Sequence, residues 1–297
     1  MSRFTIQWEI EEDEGKLIKD FLKENEISKA SLTDIKINGG NILLNNQEVT
    51  VRKVLSKGDL LKVIFPLEEP SEGMLREDIP LDILYEDSFI LVVNKPAGMS
   101  TIPSREHPTG SLANGLVGYY EKIGLQSTVH IVTRLDRDTS GLVLIAKHRH
   151  IHHLFSKQQK LRNIKRMYEA LAEGTFYQVQ GTIEKPIGRK KDSIIEREVT
   201  SEGQYACTHF KVLKQYTSFA HIQLQLETGR THQIRVHLSH MGHPLIGDDL
   251  YGGSVSLLDR QALHCCQISF YHPILNEALF FEVPLAEDMK NIIKAKE

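Results

Sequence analysis

The sequence predicts an α+β fold in which a small N-terminal module precedes a larger domain. Short apolar segments that are rich in β-branched residues and bounded by turn residues recur along the chain and indicate strands. Other segments carry apolar residues at helical spacing. Residues 67–73 are polar and interrupted by proline and glycine, which is typical of a linker. We therefore predict a module at 1–67, a linker at 68–80 and a larger domain at 81–297.

The composition is that of a soluble globular protein. The chain has 297 residues, of which 40% are hydrophobic and 25% charged. No apolar segment approaches the roughly 20 residues that a membrane-spanning helix needs. The N-terminus leads into acidic residues rather than a signal sequence, so we expect a cytoplasmic protein. Three cysteines, Cys207, Cys265 and Cys266, fit neither a disulfide framework nor a zinc spacing, and small buried apolar side chains are the favoured interpretation.

The N-terminal residues predict helices and strands in alternation. Residues 15–25 place their apolar side chains on one face of a short amphipathic helix. Ser31 is typical of the start of a second helix. Residues 42–49 indicate a strand and a turn, and a Gly-Asp pair precedes another strand at residues 60–65.

The larger domain is predicted to contain more strands than helices. Ser111 is a suitable N-cap for a helix over residues 112–120. Thr231 is a candidate N-cap for a helix that ends at Gly242, with an apolar stripe on one side and His232, Arg235 and His237 on the other faces. Strands are predicted at 81–85, 89–94, 165–172, 222–226, 263–271 and 278–283, with an exposed hairpin or loop at 188–198 and a short C-terminal helix.

Residues 129–147 predict two strands joined by a short charged loop, and this segment carries the candidate chemistry. Asp136 is expected at a strand end, where regular structure holds a carboxylate and a cleft exposes it. Arg134 and Arg137 are close enough in sequence to lower its pKa, and Asp138 is a second acid within reach. A solvated turn in which the aspartate pairs with a neighbouring arginine explains the same residues, so both interpretations stay open at this point.

The charges are unevenly distributed, although the net charge is only -3. Residues 139–168 contain no acidic residue and seven basic ones. Acidic residues are again absent between Glu227 and Asp248, where Arg230, Arg235 and four histidines lie. We therefore expect a basic surface near Asp136 that suits a phosphate backbone.

Residues 148–155 open a basic helix with clustered histidines. The i, i+4 spacing of His148 and His152 places both on one face, as in some metal sites. No acidic residue lies within this helix to complete a site or to orient a ring. We therefore predict no metal and expect the histidines to contact phosphates at the surface.

Three blocks of the sequence resemble the motifs of RluA-type RNA pseudouridine synthases, and they follow the order of that family. Residues 94–98 read Asn-Lys-Pro-Ala-Gly, and Arg-Leu-Asp at 134–136 is followed by Thr-Ser-Gly-Leu. Residues 228–235 read Thr-Gly-Arg-Thr-His-Gln-Ile-Arg, with Gly-His-Pro and Gly-Asp after them. The family usually has histidine where this chain has Thr133, but Arg134 and Asp136 remain in register.

The resemblance implies a catalytic domain with a mixed, mostly antiparallel sheet flanked by helices. It also implies that a uridine in RNA is flipped out and isomerised to pseudouridine. Asp136 would be the catalytic carboxylate, Arg235 its charged partner, and Tyr168 would stack on the uracil and help to remove the C5 proton. Arg134 would fill the gap left by the base, and Arg230 would contact phosphate or support the motif. The rearrangement requires no redox or metal cofactor, so none is predicted.

The N-terminal elements resemble the small RNA-binding module of ribosomal protein S-four, which many RluA-type synthases carry. Acidic residues outnumber basic ones in this segment, so a purely structural role remains open. The resemblance implies structured RNA as the partner. Large-subunit ribosomal RNA is the first candidate, and transfer RNA is the second. We expect a monomer without a membrane partner.

Two other classes of function remain open from the sequence. A non-catalytic RNA-binding or ribosome-assembly factor would share the basic intervals but would not need Asp136. A metal-dependent hydrolase would use the histidines instead.

Overall fold

The computed structural model describes residues 3–69, 73–104 and 107–296. The N-terminal residues form an antiparallel sheet in the order β1-β4-β2-β3, and two helices share its hydrophobic core. The predicted helices and strands are present, whereas the resemblance to the S-four module stays a prediction. The elements are β1 (Thr5–Glu9), α1 (Ile18–Glu24), α2 (Lys29–Ile37), β2 (Asn41–Leu44), β3 (Gln47–Glu48) and β4 (Leu60–Ile64).

The second helix begins earlier than predicted. Ser28, not Ser31, is the N-cap of α2, and its side-chain oxygen accepts a hydrogen bond from the backbone N–H of Ser31 at 3.1 Å. The prediction that Ser31 starts the helix was therefore wrong, because Ser31 is the residue whose free N–H group is capped. Between β2 and β3, Asn45 and Asn46 have φ values of 52° and 65°, as a tight hairpin turn requires.

The larger domain supplies the remaining elements. A capping box formed by Ser111 and Asn114 starts its first helix, as predicted. The elements are β5 (Ile83–Glu86), β6 (Ile90–Lys95), α3 (Leu112–Lys122), β7 (His130–Ile131), β8 (Ser140–Ala146), α4 (Arg149–Lys160), β9 (Lys165–Glu173), β10 (Gln180–Glu184), β11 (Ile187–Arg189), β12 (Arg197–Val199), β13 (Cys207–Gln215), β14 (Phe219–Leu226), α5 (Gln233–His240), β15 (Leu263–His272), β16 (Glu277–Glu282) and α6 (Glu287–Lys294).

These strands form one large mixed sheet, as the fold prediction required. Its order is β10-β13-β14-β9-β15-β8-β6-β5, with β16 paired to β15 and β7 paired to β8. Among the described strand pairs, β8 and β15 run parallel and the others are antiparallel. The hairpin of β11 and β12 stands apart from this sheet and corresponds to the exposed hairpin predicted at 188–198.

Strand β8 is an interior strand between β15 and β6, and all seven of its residues are buried. It begins with Ser140 and Gly141 directly after the predicted catalytic loop. Gly141 has a φ of +113°, and a Cβ atom there would lie 2.2 Å from the backbone oxygen of Cys265 in β15. Only glycine allows this close approach, which fixes where the loop ends and the core begins.

A buried carboxylate at the start of the predicted linker contacts the larger domain. Glu68 is 6% exposed. It contacts His130 at 2.5 Å and His148 at 3.0 Å, and it accepts a hydrogen bond from the backbone N–H of Arg149 at 2.9 Å. Burial raises the pKa of Glu68, but the hydrogen bonds from His130 and from the Arg149 N–H lower it, and the pKa lies at about 2.

Aromatic packing extends this contact. The ring of Phe4 stacks on His148 at 4.1 Å and meets Phe89 edge-on at 5.9 Å. Phe4 packs against the cores of both the module and the larger domain. The boundaries at 67 and 80 stay a prediction, and Pro70, Ser71 and Glu72 of the predicted linker lie outside the described residues.

Two of the clustered histidines, His148 and His150, are buried and do not form a phosphate-binding surface. His148 and His150 are 3% and 5% exposed, so the prediction that they contact phosphates was wrong. Burial lowers the pKa of His148 to about 3 and that of His150 to about 4. Both rings are therefore neutral packing groups at neutral pH. Within 3–69, 73–104 and 107–296, none of the helices has the length and apolar character that crossing a membrane demands.

Candidate active site

Asp136 lies in the loop between β7 and β8, four residues before β8 rather than at a strand end. Buried side chains hold this loop by its backbone. The Thr101 hydroxyl donates to the carbonyl of Leu135 at 2.6 Å and accepts from its N–H at 3.2 Å. Arg260 donates to the carbonyl of Asp138 at 3.1 Å. The Asp136 side chain is thus presented from a fixed loop while 28% of it stays exposed.

Lys95, the lysine of the Asn-Lys-Pro-Ala-Gly block, is fully buried beneath the same loop. Its ammonium group donates to the carbonyls of Pro96 at 2.8 Å, Met99 at 2.8 Å and Arg137 at 3.0 Å. These acceptors use all three N–H donors of the group. Burial lowers the pKa of Lys95 to about 7, although Asp138 and Asp136 act to raise it. Lys95 therefore positions the loop.

Thr133 stands where the resembled family usually has histidine, and its role here is structural. The residue is 3% exposed, and its hydroxyl accepts a hydrogen bond from the backbone N–H of Leu144 at 2.9 Å. The contact joins the loop to β8.

Arg235 connects Asp136 to a second, completely buried carboxylate. Its Nη1 lies 3.3 Å from Oδ2 of Asp136. Its Nε and Nη2 donate to the two carboxylate oxygens of Asp248 at 2.8 and 2.7 Å. This bidentate pair fixes the guanidinium plane and leaves one edge for Asp136. Burial alone would lower the pKa of Arg235, but the hydrogen bonds and charge of Asp248 raise it, so the partner of Asp136 is permanently charged.

His232 and Tyr251 complete the surroundings of this ion pair. The guanidinium of Arg235 lies 4.9 Å from the ring centroid of Tyr251. The hydroxyl of Tyr251 accepts from the backbone N–H of Arg197 at 2.9 Å and lies 2.8 Å from Nδ1 of His232. Nε2 of His232 lies 3.9 Å from Oδ2 of Asp136. Burial lowers the pKa of His232, with Asp136 acting in the opposite direction.

The start of α5 differs from the prediction. Thr231 does not cap the helix. The N-cap is His232, with a φ of 57° and no side-chain cap. Instead, the first helical residue, Gln233, uses its side-chain oxygen to accept from the Thr228 hydroxyl at 2.8 Å and from the Arg230 N–H at 3.0 Å.

The prediction that α5 presents Arg235 and His237 on its outer faces was also wrong. Arg235 is 7% exposed, and His237 is fully buried, where it contacts Thr208 and the carbonyl of Lys185. The predicted stripe is buried at Ile234 and Leu238, but Met241 is 37% exposed.

Tyr168 lies in β9 and is 4% exposed. The guanidinium of Arg166 lies 5.8 Å from the centroid of its ring. Burial raises the pKa of Tyr168, and the charge of Asp136 adds to the effect. The phenol is therefore protonated at neutral pH, which favours a stacking role over that of a proton-accepting phenolate.

One open cleft of about 1050 Å³ brings together all five predicted site residues, namely Arg134, Asp136, Tyr168, Arg230 and Arg235. Further cations line it, among them Lys160, Arg162 and Arg166, in agreement with the expected basic surface. Arg134 is exposed at its wall. The expectation that Arg134 and Arg137 hold Asp136 in its ionised form was wrong. Arg137 pairs with Asp138 at 3.5 Å, and the arginine that pairs with Asp136 among the described residues is Arg235.

Several residues of this site were missed from the sequence. Asp248, Lys95, Tyr251 and Arg260 position the groups described above but were not among the predicted site residues. The sequence blocks that resemble the family could have pointed to two of these four residues. Lys95 and Asp248 both lie within the quoted blocks, as the lysine of Asn-Lys-Pro-Ala-Gly and the aspartate of the later Gly-Asp.

Comparison with known proteins agrees with this fold and cleft. The family described as RNA pseudouridylate synthase matches residues 89–240. A protein of Bacillus subtilis named uncharacterized RNA pseudouridine synthase YjbO is 53% identical over 279 residues, covering 94% of this chain and 99% of the relative. Ribosomal large subunit pseudouridine synthase D of Yersinia pestis is 39% identical, covering 82% and 78%.

A solved structure shows the same fold. Human RNA pseudouridylate synthase domain containing 4 superposes with a TM-score of 0.59 at 23% identity, covering 71% of this chain and 91% of that one. The chain therefore belongs to the RNA pseudouridylate synthase family. It is of the RluA type and an isomerase that acts on RNA, which confirms the class predicted from the three sequence blocks.

Proposed function

We propose that this enzyme converts specific uridines of structured RNA to pseudouridine, with Asp136 as the catalytic residue and large-subunit ribosomal RNA as the substrate. One observation carries the assignment of Asp136. Its carboxylate is accessible in a basic cleft and lies 3.3 Å from a guanidinium that Asp248 holds from the other side. The name of the Yersinia pestis relative supports the choice of RNA. Transfer RNA is the second candidate.

The chemistry explains why a charged carboxylate is required. The bond between N1 and C1′ breaks, the uracil turns, and C5 bonds to C1′. A proton leaves C5 and N1 gains one, so the composition is unchanged and no cofactor is needed. Asp136 acts either as a nucleophile toward ribose or base, or as a base at C2′, and both routes need the ionised form. Arg235 stabilises that form by a charge-assisted contact.

The remaining predicted residues bind and orient the RNA. Tyr168 stacks on the everted uracil as a neutral phenol. Arg134 fills the space that the base leaves in the helix, which offsets part of the few kcal/mol that flipping costs. Arg230, whose Nε donates to the carbonyl of Tyr205 at 3.0 Å, keeps its other donors for phosphate.

The wider assignments rest on the same family. We propose that the enzyme works as a monomer in the cytoplasm, with residues 1–67 as an RNA-binding module, 68–80 as the linker and 81–297 as the catalytic domain. The packing of Phe4 on His148 and of Phe65 on His150 joins the module to the domain and supports their joint action on one RNA.

Replacing Asp136 by asparagine tests the catalytic assignment. We expect Asp136→Asn to abolish tritium release from RNA labelled at C5 of uridine while filter binding of the same RNA changes by less than about threefold, because asparagine keeps the shape but not the charge. Asp138→Asn, in the same loop and paired with Arg137, is the matched control and should keep its activity. Undiminished turnover by Asp136→Asn would defeat the assignment.

The choice of RNA is tested separately. Pseudouridines mapped in cells that lack this enzyme should be missing at defined positions of large-subunit ribosomal RNA. An unchanged ribosomal map together with losses in transfer RNA would replace the first substrate by the second.

A further inference from the structure

A second cluster of chemically reactive side chains lies at one corner of the large sheet, beside the cleft. Cys207 and His209 are two residues apart in β13 and therefore face the same side of the sheet. Glu184 is paired directly opposite Cys207 at the end of β10. Glu227 follows the last residue of β14, next to His209. Three strand ends thus bring one thiol, one imidazole and two carboxylates together.

The distances within this cluster are those of ligands around a small metal ion. Sγ of Cys207 lies 3.8 Å from Nε2 of His209 and 3.9 Å from Oε1 of Glu184. Nε2 of His209 lies 2.8 Å from Oε1 of Glu227. The ligand atoms of Cys207, His209 and Glu227 all lie within 4.8 Å of one another. A tetrahedral zinc ion with ordinary bond lengths would separate neighbouring ligand atoms by roughly 3.4 to 3.6 Å. Shifts of roughly 0.5 to 1 Å in these side chains would bring the three ligand atoms to that spacing.

The groups behind these ligands are also arranged as in metal sites. The Thr182 hydroxyl lies 2.9 Å from Nδ1 of His209, which fixes the ring and leaves Nε2 for the cluster. Arg162 donates to Oε2 of Glu227 at 2.7 Å, so the other oxygen, Oε1, faces His209. The thiol is fully buried, whereas the His209 and Glu227 side chains are 39% and 35% exposed. An ion can therefore enter from solvent and reach the sulfur.

We propose that Cys207, His209 and Glu227 bind one zinc ion, with a water molecule as the fourth ligand. The mixture of a soft thiolate, an imidazole and a carboxylate matches the ligand preference of zinc and excludes calcium or magnesium as preferred ions. On binding, neutral His209 carries its single proton on Nδ1, which donates to the Thr182 hydroxyl, and Nε2 gives its lone pair to the ion, while the Cys207 thiol releases its proton to solvent. No electron is transferred, and the ligands remain as they are.

An ion at this position would hold together segments of the chain that line the cleft. Glu227 and Arg162 both line the cleft, and Thr228 next to Glu227 contacts Gln233 at the start of α5. An ion here ties β13 and the end of β14 to the segment that leads into Arg235. This inference goes beyond the isomerase activity and replaces the expectation that Cys207 is an inert apolar side chain.

Cobalt binding to the full chain is the direct test. The protein is stripped with a chelator and titrated with Co²⁺, which reports a thiolate ligand by a charge-transfer band in the near ultraviolet and a tetrahedral site by visible bands. We expect saturation at about one ion per chain, displacement of Co²⁺ by Zn²⁺, and loss of the charge-transfer band in Cys207→Ser. His209→Gln should weaken Co²⁺ binding by at least tenfold, as loss of a ligand does.

Two further variants keep the test decisive if the buried cysteine variant fails to fold. Thr182→Val leaves all ligands in place and should weaken Co²⁺ binding by about tenfold, because the ring loses its orienting partner. His221→Gln removes a comparable histidine–carboxylate pair, His221 with Glu169 at 2.7 Å, and should leave the cobalt spectrum unchanged. Absence of the charge-transfer band in the unmodified chain, or equal weakening by His221→Gln, would overturn the proposal.

Discussion

Replacement of Asp248 by asparagine tests whether Arg235 is held in place from behind. Asp248 is 1% exposed and does not line the cleft, but its two carboxylate oxygens accept from Nε and Nη2 along one edge of the guanidinium. Asparagine keeps the volume, loses the charge and turns one acceptor into an N–H donor that faces another donor. Asp248→Asn therefore leaves a buried cation with Asp136 as its only charged partner among the described contacts.

The expected magnitudes follow from that burial. Loss of one partner of a buried ion pair costs roughly 3 to 5 kcal/mol of unfolding free energy, which lowers Tm by on the order of 10 °C in a protein of this size. The guanidinium is then free to shift relative to Asp136, and a misplacement of about 1 Å costs on the order of 100-fold in kcat. KM should change little, because Asp248 does not touch the RNA.

Thermal unfolding followed by circular dichroism, together with tritium release at saturating RNA, measures both effects. Glu287→Gln serves as the control, since Glu287 pairs with Lys290 at 2.6 Å on the surface and should change stability by less than about 0.5 kcal/mol. A lowered Tm with unchanged kcat would refute the positioning role of Asp248, and an unchanged Tm would refute the energetic argument.

Other perturbations have equally definite outcomes. Arg134→Ala should reduce product formation more on structured RNA than on a short unpaired RNA of the same sequence, and equal losses on both would contradict the gap-filling role. Lys95→Met leaves three backbone carbonyls without their donor. Chemical denaturation should therefore show that the free energy of unfolding falls by about 3 kcal/mol or more. A fall below about 1 kcal/mol would mean that the ammonium group does not hold the loop. Burial lowers the pKa of His150 from 6.5 to about 4, so the unfolded chain binds a proton that the folded chain does not, and stability falls as the pH drops from 6.5 to 4. Urea unfolding at pH 7 and pH 4.5 measures how much unfolding free energy the protein loses on acidification. This loss should be smaller in His150→Phe than in the unmodified protein by up to roughly 3 kcal/mol. An identical loss in both proteins would exclude His150 as its source.

The sequence was sufficient for much of the fold and for the identities of the cleft residues. Apolar periodicity predicted the buried strand β8 and the capped helix α3, because those signals are local in the chain. Asp136 and Arg235 are 99 residues apart, and the resemblance to a known family, not any local pattern, suggested that they meet. Their contact depends on tertiary packing.

The errors have the same physical origin. Ser28 and Ser31 are equally good caps from composition, and only the backbone geometry of α2 decides between them. The histidines at 148 and 150 look like surface cations in a basic helix, because their neighbours in sequence are basic. Their true neighbours are Glu68 and the aromatic rings of the module, which the chain brings in from far away.

The contact made by Phe4 and Glu68 limits how this enzyme can be shortened. A chain that began at residue 81 would expose the faces of Phe89 and His148 to water and deprive His130 of its carboxylate partner. Freshly uncovered apolar surface of this kind favours self-association. Poor solubility, rather than altered substrate choice, would be the first consequence of such a truncation.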